Sequence, residues 1–292
     1  MNKKSYLSNN SVQEFVNWIT FYLDEPNSFN HQYEILKTKK SWKCNSIHNA
    51  FVEYEWKFNS FDPNSKKKIS GKSFEDSLNY LGKLSDGLRN SIELKHESIC
   101  KDHCLAILKW GGVLNHNKNK IEDLYLKSEL ITYLSNIMVE LHHDKYDMSI
   151  DYNYDEILMN AGFTKIYSLL IDDFIIYDGR VGAALGYFVR TFCEAKKLNY
   201  IPENLLFAYG DSRPTKFDIG LNRRNPSSDL YKFPKLDNKS KKHTENNMKA
   251  NWIMKGILQK SNSKFLNLDE KIQLRALESA FFMIGYNVKH IE

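Results

Sequence analysis

Two residues in the middle of the chain have the type and position to do chemistry, Lys165 and Asp178. Asp178 follows the apolar run Phe174-Ile175-Ile176-Tyr177 and precedes Gly179-Arg180-Val181-Gly182-Ala183-Ala184-Leu185, so it reads as the leading residue of a helix. The positive end of the helix macrodipole favours an ionised carboxylate there. Lys165 lies in Asn160-Ala161-Gly162-Phe163-Thr164-Lys165-Ile166-Tyr167-Ser168-Leu169-Leu170, a turn running into another helix. A helix start repels a cation and helps an amine lose its proton, which a nucleophilic lysine requires. Plainer readings stand beside both. Asp is a preferred N-cap, and a lysine in a first turn is commonly solvated or holds a phosphate.

The elements that must position this pair read as mainly α. Residues 11–23 carry apolar side chains at helical spacing behind Ser11. Residues 98–110 form a helix that stops at Lys109-Trp110-Gly111-Gly112. Asn115 to Lys120 reads as a loop, Ile121 to Leu141 as one periodic helix closed by His142-His143-Asp144, and 154–160 as a further helix. The helix behind Asp178 extends over about 179–197, and two more, about 246–260 and 268–284, close the chain. Phe74 to Leu94 reads as one or two helices broken near Gly87, and 41–60 as helix or strand. Few β-rich runs are present.

At 292 residues the chain is long enough for one large domain or two small ones. No run approaches the ~18 apolar residues of a membrane span, and no apolar core follows the basic N-terminus, so neither membrane nor signal peptide is expected. Four scattered cysteines suit a reducing cytoplasm. The net charge of +5 permits nucleic-acid binding without demanding it. Its distribution says more. From Gly210 to His243 apolar periodicity gives way to Gly, Pro, Ser and Asn, and basic residues outnumber acids. Such a loop is suited to following a phosphate backbone or is simply a solvated surface. Of His96, Cys100, His103 and Cys104, either His96–Cys100–Cys104 or His96–Cys100–His103 would share a helix face, but no second ligand cluster with standard spacing accompanies them, so no metal is expected.

The central stretch resembles the catalytic segment of a bacterial 8-oxoguanine DNA glycosylase-fold family, helix–hairpin–helix glycosylase-like and associated with anti-phage defence. The resemblance is carried by Thr164-Lys165, Ile176-Tyr177-Asp178-Gly179-Arg180-Val181 and Ala184-Leu185. Fainter echoes are Trp110-Gly111-Gly112, Leu277-Glu278 and Phe282-Met283-Ile284-Gly285-Tyr286, so the likeness touches roughly residues 104–290. The hairpin offers one glycine, Gly162, where the superfamily usually has two, and the Lys165–Asp178 spacing is shorter than in the better-known 8-oxoguanine enzymes.

The resemblance implies a two-lobed, mainly α fold with a central cleft, spanning 1–292 as a single two-lobed domain. Its parts are an N-terminal helical part (1–120), a catalytic helix–turn–helix core (121–200), a basic loop (201–245) and C-terminal helices (246–292). The activity implied is a DNA glycosylase that flips out a modified base, excises it and leaves an abasic site. A hypermodified phage base such as glucosylated hydroxymethylcytosine is the sharper expectation, and an oxidised purine the blander one. Asp178 would stabilise the charge that builds on the sugar, and Lys165 would add lyase activity through a Schiff base. Gly162, Arg180, Arg213, Lys216, Arg223 and Arg224 would bind DNA, and Trp110, Phe163, Tyr177 and Trp252 would line the base pocket. No cofactor is implied. The partner is DNA, and the chain is expected as a cytoplasmic monomer. The rival readings are a non-catalytic DNA-binding module of the same fold and a helical interaction protein with an acidic partner.

Overall fold

The structure, a computed structural model, describes residues 1–36, 38–212, 222–237 and 239–289. The chain forms two compact units, Met1–Tyr54 with Tyr177–Glu292, and Glu55–Ile176. It begins in the first unit with α1 (Lys3–Leu7), α2 (Asn10–Thr20), the hairpin strands β1 (His31–Ile35) and β2 (Lys40–Cys44), and α3 (Ile47–Val52). The second unit holds a hairpin of β3 (Phe58–Phe61) and β4 (Lys68–Gly71), then α4 (Phe74–Glu93), α5 (Glu97–Trp110), α6 (Leu114–Leu126), α7 (Leu130–Glu140) and α8 (Phe163–Leu170). The chain then returns to the first unit with α9 (Gly179–Ala195), α10 (Ser240–Lys260) and α11 (Glu270–Ile284). The fold is mainly helical, with two small antiparallel hairpins among the described residues. None of the described helices is long and apolar enough to cross a membrane.

In the first unit α9 is the central element. Val181 through Val189 are all buried, so the helix is apolar on every side, as a core helix must be. It packs against α2 and α11, and α10 packs against α1, α2 and α11. Phe15 meets Phe192 edge-on at 5.6 Å, and Phe188 meets Phe281 at 5.4 Å. Each such phenyl ring contributes about 1.5–3 kcal/mol by leaving water. In the second unit α5 is the packing axis, contacted by α4, α6, α7, α8 and β3.

Several local expectations change. α4 runs unbroken through Gly87, because that glycine faces the neighbouring helix: a Cβ there would fall on the imidazole of His103. Asn115–Lys120 is helical, and the single helix expected over 121–141 is interrupted. Ser128 adopts φ 57°, the N–H of Glu129 donates to Leu124 O at 2.9 Å, and the N–H of Ser128 donates to Tyr125 O at 2.9 Å. That is a Schellman ending with serine where glycine is usual, so nothing in the local composition announced it. Residues 154–160 are irregular. Tyrosine hydroxyls serve their backbone instead: Leu158 N–H donates to Tyr133 Oη at 2.8 Å, and Tyr167 Oη–H donates to Leu158 O at 2.7 Å. α10 starts at Ser240, six residues before the apolar period begins, since its first turns bury His243, Thr244, Asn246 and Asn247. The segment 41–60 divides into β2, α3 and β3.

Candidate functional site

Asp178 caps α9 as its position suggested. Its Oδ1 accepts from the N–H of Arg180 at 2.9 Å and of Val181 at 3.1 Å, satisfying two of the helix's orphan donors. The carboxylate is half-buried, on the rim of an otherwise buried helix. Its surroundings are rigid. The carbonyl of Tyr177 accepts from His243 Nε2 at 2.9 Å, and the Tyr177 hydroxyl donates to Ala208 O at 2.6 Å. Gly179 and Gly210 meet backbone to backbone: a Cβ on Gly179 would lie 2.8 Å from the Gly210 Cα. Tyr177→Phe removes the hydroxyl from this network and leaves the Ala208 carbonyl short of a donor. A loss of about 1–3 kcal/mol is expected, read by urea denaturation.

Three arginines gather around this helix start. The Arg180 guanidinium lies 4.2 Å from the Phe282 ring centroid and 4.9 Å from that of Tyr286, and Arg223 lies 5.6 Å from the same Tyr286 ring. Tyr286 stacks on Tyr33 at 4.8 Å, and Tyr33 on Trp42 at 4.6 Å, so a ladder of rings leads from the β1–β2 hairpin to the cations. Each step is fixed by a hydrogen bond: Tyr33 Oη–H donates to Met283 O at 2.8 Å, and Leu36 N–H donates to Tyr286 Oη at 3.1 Å. Cations on desolvated ring faces contribute roughly 0.5–2 kcal/mol each. Arg224 sits beside them, its Nη1 donating to Asp211 O at 3.5 Å. Burial, then the charges of Arg180 and Arg223, push the Arg224 pKa down to about 10, while Asp178 opposes the shift. Burial likewise lowers Arg180, again opposed by Asp178. The site is therefore a fixed carboxylate set among three cations, on one unit.

Lys165, Gly162, Phe163 and Trp110 lie in the other unit. Lys165 is buried in the first turn of α8 and donates from Nζ to Ala161 O at 2.8 Å. Its stem fills the space over Gly111, where a Cβ would collide with it, which accounts for the glycine after Trp110. Gly162 departs from its expected role. Its N–H donates to Asn160 Oδ1 at 2.7 Å and that of Phe163 to the same oxygen at 3.2 Å, so these donors are turned into the protein and not toward a phosphate. Asn160 is held in turn by donating to Asn117 Oδ1 at 2.9 Å, and Asn117 donates to Val113 O at 2.9 Å. Asn160→Ala breaks this chain at its centre, and a loss of about 1–3 kcal/mol in chemical denaturation is expected from the orphaned groups.

The rings expected in a base pocket serve the core. Phe163, Tyr177 and Trp252 are fully buried, packed on Tyr167, His243 and Tyr6 respectively, so none offers a face for stacking a base. Trp110 is also buried. Its carbonyl accepts from Trp56 Nε1 at 3.1 Å, and its own indole nitrogen has no hydrogen-bond partner among the described residues. Arg213 and Lys216 lie outside the described residues. Among the described residues no group of three or more His, Cys, Asp or Glu side chains is arranged to hold a metal. His103 Nδ1–H donates to Ile99 O at 2.8 Å, and a hydrogen bond with Cys100, followed by burial, raises the pKa of the Cys104 thiol. The rings of Tyr33, Phe282 and Tyr286 were not singled out as site residues from the sequence. The cue available was the aromatic pair flanking Gly285, which is also the point where α11 touches the Arg180 carbonyl.

The chain matches no family model, no curated protein and no solved structure.

Proposed function

We propose that this chain is a DNA N-glycosylase that removes a modified base and leaves an abasic site, with Asp178 as its essential carboxylate. The observation that carries the reading is the placement of Asp178: a rigid, half-buried carboxylate at the positive end of α9, with Arg180, Arg223 and Arg224 around it to attract a polyanion. As the bond from sugar to base breaks, its electron pair leaves with the base and positive charge builds on the deoxyribose. A fixed carboxylate stabilises that charge without reorganising, and water completes the substitution at the sugar carbon. Lys165, with its ammonium bonded to the Ala161 carbonyl and its stem packed on Gly111, is assigned first to holding α8. Lyase action by this amine is the secondary reading.

The resemblance of the central block to defence-associated glycosylases directs the choice of substrate toward phage DNA with modified bases. The test is incubation with phage DNA bearing glucosylated hydroxymethylcytosine, and separately with a duplex containing 8-oxoguanine, followed by strand sizing with and without alkali. Breaks that require alkali are expected in the first substrate. Breaks without alkali that vanish in Lys165→Gln would assign lyase chemistry to that amine. Both DNAs intact at stoichiometric protein would overturn the reading and leave a non-catalytic DNA-binding module.

A further inference from the structure

We propose that the outer face of the β3–β4 hairpin binds the phosphate backbone of DNA, with Lys57, Lys68 and Lys72 as its contacts. That the polyanion is DNA rests on the proposed function; the cationic face itself rests on geometry. It belongs to the second unit, whereas Asp178 belongs to the first. The antiparallel register sets Asn59 opposite Ser70 and Phe61 opposite Lys68. Burial alternates along the hairpin: Phe58 and Ser60 are buried, while Lys57, Asn59, Lys68, Ser70 and Lys72 are exposed. Successive side chains of a strand point to opposite faces, so one face meets the core and the other carries the three lysines with Asn59 and Ser70 between them. The inner face is pinned. Ser60 Oγ–H donates to Ala106 O of α5 at 2.8 Å, and the Tyr80 hydroxyl of α4 donates to Phe61 O at 2.7 Å. Trp56 N–H donates to Lys72 O at 2.9 Å, which holds the two open ends of the hairpin together. The backbone that bears the lysines is therefore ordered before any ligand arrives.

The charge of this face is in excess. Residues 57–72 hold five lysines against one acid, Asp62. Lys66 is compensated by an ion pair with Asp102 and is not counted among the contacts. Lys57, Lys67, Lys68 and Lys72 are in no ion pair among the described residues. The acids nearest in sequence serve the backbone. Asp62 Oδ1 accepts from the N–H of Asn64 at 3.0 Å and of Ser65 at 2.6 Å, and Asp76 Oδ2 accepts from the N–H of Lys72 at 2.9 Å and of Ser73 at 3.0 Å. Lys109 of α5, also exposed, adds a cation beside the hairpin, its Nζ 5.3 Å from the centroid of the Phe61 ring. Lys68 and Lys72 are four residues apart on one strand, about 13 Å at the usual strand rise. Cations spread over that length suit a linear polyanion better than a single anion. Asn59 and Ser70 supply neutral donors of the kind that contact phosphate oxygens. None of the exposed large apolar side chains lies on the hairpin, so it lacks the apolar face that a lipid surface would take up.

The test uses a short fluorescent duplex of unmodified bases, which offers nothing to excise, so binding is read independently of catalysis. Its dissociation constant is followed by anisotropy across a sodium chloride series for the full chain and for the triple variant Lys57→Gln/Lys68→Gln/Lys72→Gln. The control is Lys83→Gln/Lys95→Gln/Lys127→Gln, which removes equal charge from three other exposed lysines of the same unit. All six positions are exposed, so both variants are expected to melt with the parent. Each lost phosphate contact lowers the slope of log affinity against log salt by about 0.9 on a duplex, so the hairpin variant is expected to lose up to about 2.7 while the control keeps the parent's slope. Equal slopes in the hairpin variant and the control would overturn the proposal, as would a parent that fails to bind the duplex at low salt. Displacement of the duplex by polyglutamate at equal charge would also overturn it and assign the face to an acidic protein. If the slope falls as expected while modified phage DNA keeps its bases, the hairpin face stands and the glycosylase reading falls. If bases are released with unchanged slopes, the hairpin face alone falls.

Discussion

Asp178→Asn is expected to lower base release by roughly 10²–10⁴-fold while keeping the start of α9, its stability falling only by the lost attraction between the carboxylate and the arginines beside it. The two halves of this expectation come from different properties of one side chain. As a cap, Asp178 uses a single oxygen, Oδ1, to accept from the N–H groups of Arg180 and Val181. Asparagine has that oxygen and ranks with aspartate as an N-cap, so α9 should keep its start. What disappears is the negative charge, the property a developing oxocarbenium ion requires. Asp178→Ala is the contrasting variant. It loses both functions and should also cost about 0.5–2 kcal/mol of stability. Alkali-revealed breaks in modified phage DNA, measured beside melting curves for all three proteins, separate these roles. An asparagine variant as active as the parent would reduce Asp178 to a cap and end the catalytic proposal.

Gly285→Ala is expected to be the most damaging small substitution in the first unit, costing about 3 kcal/mol or more. The new methyl would occupy the space of the Arg180 carbonyl oxygen. That oxygen belongs to the backbone of the first turn of α9, so no rotamer change can relieve the collision. The end of α11 must withdraw from the helix that carries Asp178, and with it the Phe282 and Tyr286 rings must leave the Arg180 guanidinium. Loss of DNA binding is expected to accompany the loss of stability. Gly82→Ala is the control. Gly82 lies inside α4 with nothing within 4 Å of the added methyl. There alanine should raise stability by about 0.5–1 kcal/mol, because it removes freedom from the unfolded chain alone. Urea denaturation of both variants checks the pair. Equal effects at the two positions would contradict the packing of α11 on α9.

The helical majority, the Asp178 cap and the stop after Trp110 were legible in the chain because each depends on residues a few positions apart. An acid before a periodic apolar stretch states a helix start, and a glycine pair states an end. Where the sequence misled, the deciding interaction was distant or atypical. Gly87 looked like a break and instead admits His103; Ser128 ended α6 with the geometry glycine normally takes; the polar start of α10 is buried because the core offers its side chains partners.

The candidate site divides in the same way. The primary sequence by itself determined that a carboxylate would open α9, since capping and helical period are settled within a single turn. Tertiary structure alone decided what surrounds it: Tyr33, Arg223 and Tyr286 come from distant stretches and meet Arg180 only after α11 and the β1–β2 hairpin have packed. It also decided that Phe163, Tyr177 and Trp252 fill the core. A ring's type reports its appetite for burial, whereas which face stays open depends on what the rest of the chain lays against it.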